Sequence, residues 1–295
     1  LPVSALLHGE EKPMARIVDT NAMAWQNGLE VVNAMAPEWR ANLGPADQVA
    51  ETYAKYDQKT LRLDPETTRR LDLIRLATGY RDLTYAYHDS VEECFCLSGS
   101  CWLGGEGALR EWGYFWRPPG WVHTAVSEEG FLALLGIQGE GDESGPASRR
   151  VRPASDAGRC VTTADPDAAI GPRGFVKMLD SRLLPWLPGP VFARSEGVLD
   201  GFDLERVAVK VLSKNWWTGA QTLLVRLAPG YRQSRPGRHR AGFEAFVISG
   251  HAHLGDIPLP AGVYFQRAPD AEEPPLTSEE GALLFAKVDG WLDFR

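Results

Sequence analysis

The chain has 295 residues, 44% of them hydrophobic and 24% charged, with a net charge of −8. That composition excludes a disordered or fibrous chain and leaves room for about two domains without disulfide staples. The acidic excess disfavours a phosphate-tracking surface, so neither nucleic acid nor an anionic membrane is an expected partner.

From the N-terminus, residues 1–10 carry neither a basic leader nor a long apolar core and read poorly as a signal peptide. Met14 could serve as the native start. No run approaches the ~18 apolar residues that a membrane-spanning helix needs. Short helices are expected around 37–42 and 45–53. From there the segments turn short and β-like: 71–76, then 94–97 ending at Ser98-Gly99, then 114–116 before Pro118-Pro119-Gly120, then 131–135 after Glu129-Gly130. Turn signals at about 10–15 residue intervals are those of a sandwich, barrel or jelly roll. Cys94, Cys96, Cys101 and Cys160 are too few and too uneven for a disulfide framework or a zinc ribbon. A reducing cytoplasm is the expected location.

The chain repeats itself. Arg75-Leu76-Ala77-Thr78-Gly79-Tyr80-Arg81 returns as Arg226-Leu227-Ala228-Pro229-Gly230-Tyr231-Arg232, an offset of 151. The same offset carries His88 onto His239, Glu93 onto Glu244, Phe95 onto Phe246, and Ser98-Gly99 onto Ser249-Gly250. Tyr114-Phe115 matches Tyr264-Phe265 one residue out of that register. A period this long means two whole domains. The segment 139–174 is rich in Gly, Pro, Ser, Asp and Arg and reads as linker. The halves are expected at 14–145 and 175–295, with 146–174 between them.

Six histidines exist: His8, His88, His123, His239, His251 and His253. Glu92 follows His88 by four, an even separation that shares one face of an extended strand. His123 stands just after Pro118-Pro119-Gly120. Two His and one carboxylate make a facial triad with open positions, suited to one divalent ion of iron, manganese, nickel or zinc. Cys94 should face the same interior, either as a small buried core residue or as a substitute ligand. By parity Glu93 points the other way, to solvent or a partner, and is the fallback carboxylate if the register is off by one. Tyr114 and Trp116 are the aromatics favoured to line the pocket. Of Trp112, Trp116, Trp121, Trp216 and Trp217, which cluster near the motif positions, most read as core or inter-barrel packing.

Residues 87–99, from Tyr87-His88 to Ser98-Gly99, resemble the first motif of the cupin superfamily. Residues 113–123, with Pro118-Pro119-Gly120-Trp121-Val122-His123, resemble its second motif. Both are similar to the cupin half of zinc anti-sigma factors and to β-diketone dioxygenases. The resemblance implies an all-β chain of two tandem double-stranded β-helix (jelly-roll) barrels with a few short helices. It implies a metal on His88, Glu92 and His123 in the first barrel, and a homodimer. Ala86 stands where the family usually has a further His, leaving three ligands. The second half retains one: Phe243 occupies the Glu92 position, and the His123 position falls at Glu273 or Pro274. That barrel is expected to be degenerate, with His251 and His253 a surface or hydrogen-bonded pair. The expected function is a metal-dependent enzyme of oxygenase or isomerase type on a small keto, enol or carboxylate substrate. The alternative is a non-catalytic cupin module that holds a metal or small ligand. An anti-sigma role needs a helical zinc segment, and the region before Tyr53 has only His8 and no cysteine.

Overall fold

The computed structural model describes residues 16–35, 37–64, 69–88, 90–138, 151–153, 176–197 and 199–294. His8, Met14, Cys160 and nearly all of 139–174 lie outside the described residues. The chain divides into two compact units: 19–186 with 210–217, and 187–209 with 218–295 together with the N-terminal segment up to Val18.

The first unit is built on strands Tyr56–Leu63, Arg70–Leu76, Phe131–Gln138 and Val91–Leu103, each paired antiparallel to the next. Val91–Leu103 serves both faces of the jelly roll. Its first residues pair with Gly113–Arg117, and its last with Gly107–Arg110 and His123–Ser127. His123–Ser127 in turn pairs with Tyr80–His88. Between the two faces lies a core of Ile74, Leu76, Tyr80, Cys94, Cys96, Cys101, Leu103, Leu109, Phe115 and Phe131. Two strands extend the unit from beyond the barrel: Val176–Asp180 pairs with Gly113–Arg117, and Val151–Pro153 pairs with Tyr80–His88. The Val151–Pro153 strand lies within the stretch read from composition as linker.

The sequence reading ended a strand at Ser98-Gly99, but the strand runs on to Leu103. Gly99 is the corner where it passes from one face to the other. Its φ is +78°, and the ladder with Phe131–Gln138 slips register beside it. A Cβ there would lie 2.2 Å from the Gly130 carbonyl oxygen. Only glycine combines this backbone with this approach. Gly99→Ala is expected to destabilise the protein by at least about 2 kcal/mol, read from the urea midpoint.

Helices Pro37–Arg40 and Ala46–Tyr53 occur within the two stretches where short helices are expected. Two others went unread: Gly28–Asn33, whose Asn27 side chain accepts the Leu29 N–H at 3.1 Å, and Gly189–Glu196. Gly189, behind Pro188, opens the second of these helices with its own backbone tight against Leu204.

The second unit repeats the ladder. Gln221–Leu227 pairs with Ala282–Val288, which pairs with Phe243–Leu254, which pairs with Val263–Arg267. Arg16–Asp19 lies at the edge beside Val263–Arg267. The duplication extends to individual hydrogen bonds. Tyr114 donates to Glu93 at 2.6 Å and Tyr264 to Glu244 at 2.6 Å. Ser127 donates to the Ser100 carbonyl at 2.7 Å and Ser278 to the His251 carbonyl at 2.6 Å. Gly250 takes the corner role of Gly99, with φ +78° and the same 2.2 Å approach to a carbonyl oxygen. His251 and His253 sit on one continuous strand, with ring centroids 4.5 Å apart. Trp216 and Trp217 are exposed rather than packed.

Candidate metal centre

Three strand ends converge in the first barrel. His88 closes Tyr80–His88, Glu92 is the second residue of Val91–Leu103, and His123 opens His123–Ser127. His88 and Glu92 are therefore on two strands, not on one face of a single strand. The convergence comes from pairing: Ala86 faces His123 across the ladder, and the Gly120 N–H donates to the His88 carbonyl at 2.8 Å. The Pro-Pro-Gly turn thus clamps the second motif onto the first, with Gly120 at φ +83°. Ala86 lines the cavity beside the triad.

One ligand atom from each of His88, Glu92 and His123 lies within 4.8 Å of the other two. Among the described residues this is the only such His, Cys, Asp or Glu cluster. The His123 Nδ1–H donates to the Trp121 carbonyl at 3.0 Å, which leaves Nε2 as a lone pair 3.7 Å from Glu92 Oε2. His88 Nδ1 is buried with no hydrogen-bond partner among the described residues. A buried imidazole nitrogen left unpartnered beside a carboxylate and a second free lone pair is a donor set that fits a divalent ion.

Electrostatics prepare the same set. Burial alone would raise the Glu92 carboxyl, but His123, Arg117 and His88 outweigh it and hold the pKa at about 2. Burial lowers His123 to about 4, against the pull of Glu92. Near neutral pH the site therefore presents one carboxylate and a neutral His123. In the metal-free protein both groups bind fewer protons than their unfolded counterparts, His123 between pH about 4 and 6.5 and Glu92 between about 2 and 4.5. Stability is therefore lost as pH falls from 6.5 through 4, and further toward 2. The thermal midpoint of apo protein should drop across pH 6.5–4. His123→Gln, which does not titrate, should flatten that part of the curve.

Arg117 is the residue that sequence reasoning missed. It is 1% exposed, and its Nη1 donates to Glu92 Oε2 at 2.6 Å. Its Nε donates to Glu106 Oε1 at 3.1 Å, and its Nη2 pairs with the other oxygen of that carboxylate. Its signal was the one charge in the apolar run Gly113–Arg117, with Arg267 at the equivalent place in the repeat. The triad opens onto a cavity of about 460 Å³. Cys94 lines it, and burial pushes its thiol well up, so it stands as a neutral core group. Tyr114 and Trp116 do not line it. Across the ladder Glu92 faces Arg117 and Cys94 faces Phe115, so Arg117 and Phe115 turn inward while Tyr114 and Trp116 face the other side with Glu93. Glu93 reaches neither solvent nor the triad: it is buried and accepts the Tyr114 hydroxyl.

Residues 202–290 match a family model described as a ChrR cupin-like domain. Solved structures extend the likeness over both halves. A provisionally assigned dioxygenase from Nostoc punctiforme superposes with a TM-score of 0.65 at 18% identity, over 94% of this chain and 83% of that one. Protein Ylba from E. coli gives 0.54 at 14% identity, over 93% and 90%. A variant of oxalate decarboxylase from Bacillus subtilis gives 0.51 at 16% identity, over 81% and 74%. The chain has the bicupin fold. No curated protein sequence matches it.

The family match falls on the barrel of this bicupin that lacks the triad. There His239 survives, Phe243 replaces Glu92, and Arg267 has lost the carboxylate that Arg117 holds. Arg267 Nε instead lies 2.7 Å from Glu273 Oε2, and its guanidinium sits over the Phe243 and Phe265 rings. Among the described residues no helix of this bicupin is long and apolar enough to cross a membrane.

Proposed function

We propose that this bicupin is a metal-dependent enzyme acting on a small keto, enol or carboxylate substrate by oxygenase- or isomerase-type chemistry. The supporting observation is the His88–Glu92–His123 cluster on the wall of a cavity of about 460 Å³, large enough for such a molecule. A divalent iron, manganese, nickel or zinc ion held there would supply Lewis acidity toward a substrate oxygen and, for iron or manganese, redox capacity. The chain's own residues do the rest. Arg117 keeps Glu92 ionised, and the Trp121 carbonyl fixes the His123 tautomer. Leu103, Leu109, Phe115 and Phe131 exclude water from one side of the cavity, which strengthens every polar contact within it. Tyr56, Gln58 and Arg70 face the same space and offer hydrogen bonds that orient a polar substrate. The dioxygenase and oxalate decarboxylase names among the solved relatives lend support to this class of chemistry.

The test is metal analysis of protein purified without tag or chelator, combined with O₂ uptake on dicarbonyl substrates and isomerisation assays on keto–enol pairs. Iron or manganese with turnover supports the proposal. Tightly held zinc without turnover on any of them replaces it with a binding module.

A further inference from the structure

The cavity of the first barrel has a polar wall beyond the triad. Tyr56, Gln58 and Thr60 on Tyr56–Leu63, and Arg70 and Asp72 on the neighbouring Arg70–Leu76, all line it. Polar groups taken from water cost stability unless they find partners, so such a wall needs a reason. The repeat provides the comparison. At the offset of 151, Val207, Val209 and Val211 stand in the places of Tyr56, Gln58 and Thr60, and Leu223 in that of Asp72. The register is fixed by equivalent contacts: Lys59 Nζ donates to the Thr20 carbonyl at 2.8 Å, and Lys210 Nζ to the Ser181 carbonyl at 2.7 Å. Val207, Val209 and Leu223 line the cavity of the second barrel. Gln221, in the place of Arg70, donates to Glu196 at 2.8 Å. The fold itself therefore accepts an apolar wall here, and the polar one accompanies the triad.

Within that wall Asp72 points to a ligand. It is 2% exposed, and its Oδ2 pairs with Arg70 Nε. Its Oδ1 is buried with no hydrogen-bond partner among the described residues. Buried polar atoms seldom remain so. A carboxylate oxygen accepts and does not donate, so the missing partner is a donor. The Asp72 charge is already matched by Arg70, and an ammonium would bring a further, uncompensated charge into the wall. A hydroxyl donates without one. The position suits a small molecule that also reaches the triad. Leu135 pairs with Asp72 on one side and Cys94 on the other, and Ile137 likewise with Arg70 and Glu92. Each pair is two strand spacings apart, about 10 Å between backbones. We propose that Asp72, oriented by Arg70, is a specificity-determining residue. It selects a substrate that carries a neutral hydroxyl group several bonds from its metal-binding carbonyl or carboxylate oxygen. This inference rests on the metal-centre reading above and adds the second point at which the substrate is held.

The probes are 4-hydroxybutyrate, 5-hydroxypentanoate and 6-hydroxyhexanoate, each beside the acid that lacks the hydroxyl and the acid with an amino group in its place. They would be titrated by calorimetry into the full, metal-loaded chain. At the chain length that spans the site, the hydroxy acid should bind at least about tenfold more tightly than both counterparts. The double variant Arg70→Gln/Asp72→Leu borrows the residues of the second barrel and removes both charges together. It should keep the far-ultraviolet circular dichroism of the parent and bind the hydroxy acid and its deoxy counterpart within about twofold of each other. His123→Ala should weaken all the acids. Unchanged affinities in that variant, with the hydroxyl preference intact, would overturn the metal-centre reading and leave the hydroxyl site standing. The proposal on Asp72 is overturned if the parent binds hydroxy and deoxy acids alike at every length, if an amino acid of the series binds most tightly, if the folded double variant keeps the preference, or if no hydroxy acid binds at about 10 mM.

Discussion

His123→Ala should reduce bound metal from about one equivalent per chain to below about one tenth, measured by inductively coupled plasma mass spectrometry after gel filtration. The size of the effect follows from the ligand count. Three protein ligands are the fewest that commonly retain a first-row ion, and the loss of one imidazole leaves a His and a carboxylate. The fold should survive. His123 is held by one hydrogen bond to the Trp121 carbonyl and is neutral near pH 7, so its removal strands no charge. Far-ultraviolet circular dichroism should therefore match the parent while the metal is gone. Retention of metal in a folded His123→Ala protein would mean that the ion is bound elsewhere.

Arg117→Met should act on both stability and metal affinity. The guanidinium is enclosed between Glu92 and Glu106, and its removal takes from both buried carboxylates the cation that pairs with them. Breaking a buried ion pair from one side costs about 3–5 kcal/mol, read here as a lower urea midpoint. Glu92 would also lose one of the cations that hold its carboxyl low, so a proton would compete with the metal. Loss of a group that supports a metal ligand typically weakens binding by about 10–100-fold. Glu106→Gln separates the two effects: it preserves the 2.6 Å Arg117–Glu92 contact and should cost stability while leaving metal affinity closer to the parent.

Much of this was legible in the sequence because the signals were local or repeated. The seven-residue step from Glu92 to Gly99, and the three-residue step from Gly120 to His123, mark positions set by backbone geometry at Gly99 and Gly120. The offset of 151 aligned strand with strand. What stayed hidden was the facing of side chains in the barrel walls. All five residues of Gly113–Arg117 are buried, as are the first six of Val91–Leu103. A strand covered on both sides carries no alternation of polar and apolar residues, so nothing in its sequence fixes which set points inward. That is why Tyr114 and Trp116 were placed in the pocket, Glu93 at the surface, and Arg117 nowhere. The pairing of Glu92 with Arg117 and of Cys94 with Phe115 resolves the phase.

The Val151–Pro153 strand escaped for a related reason. A three-residue edge strand adds backbone hydrogen bonds to Tyr80–His88 without needing an apolar pattern of its own. The even spacing of His88 and Glu92 misled differently. It suggested one strand, whereas the chain breaks between them and the two side chains meet because neighbouring strands bring them together.

The most direct measurement is anomalous diffraction from crystals of the full chain grown without chelator, with data on either side of the absorption edge of the metal found by elemental analysis. One peak is expected in the first barrel, about 2.0–2.2 Å from a nitrogen of His88, an oxygen of Glu92 and a nitrogen of His123, and none in the second barrel. A peak away from those three side chains, or a first barrel free of metal after soaking in iron, manganese, nickel and zinc, would contradict the account.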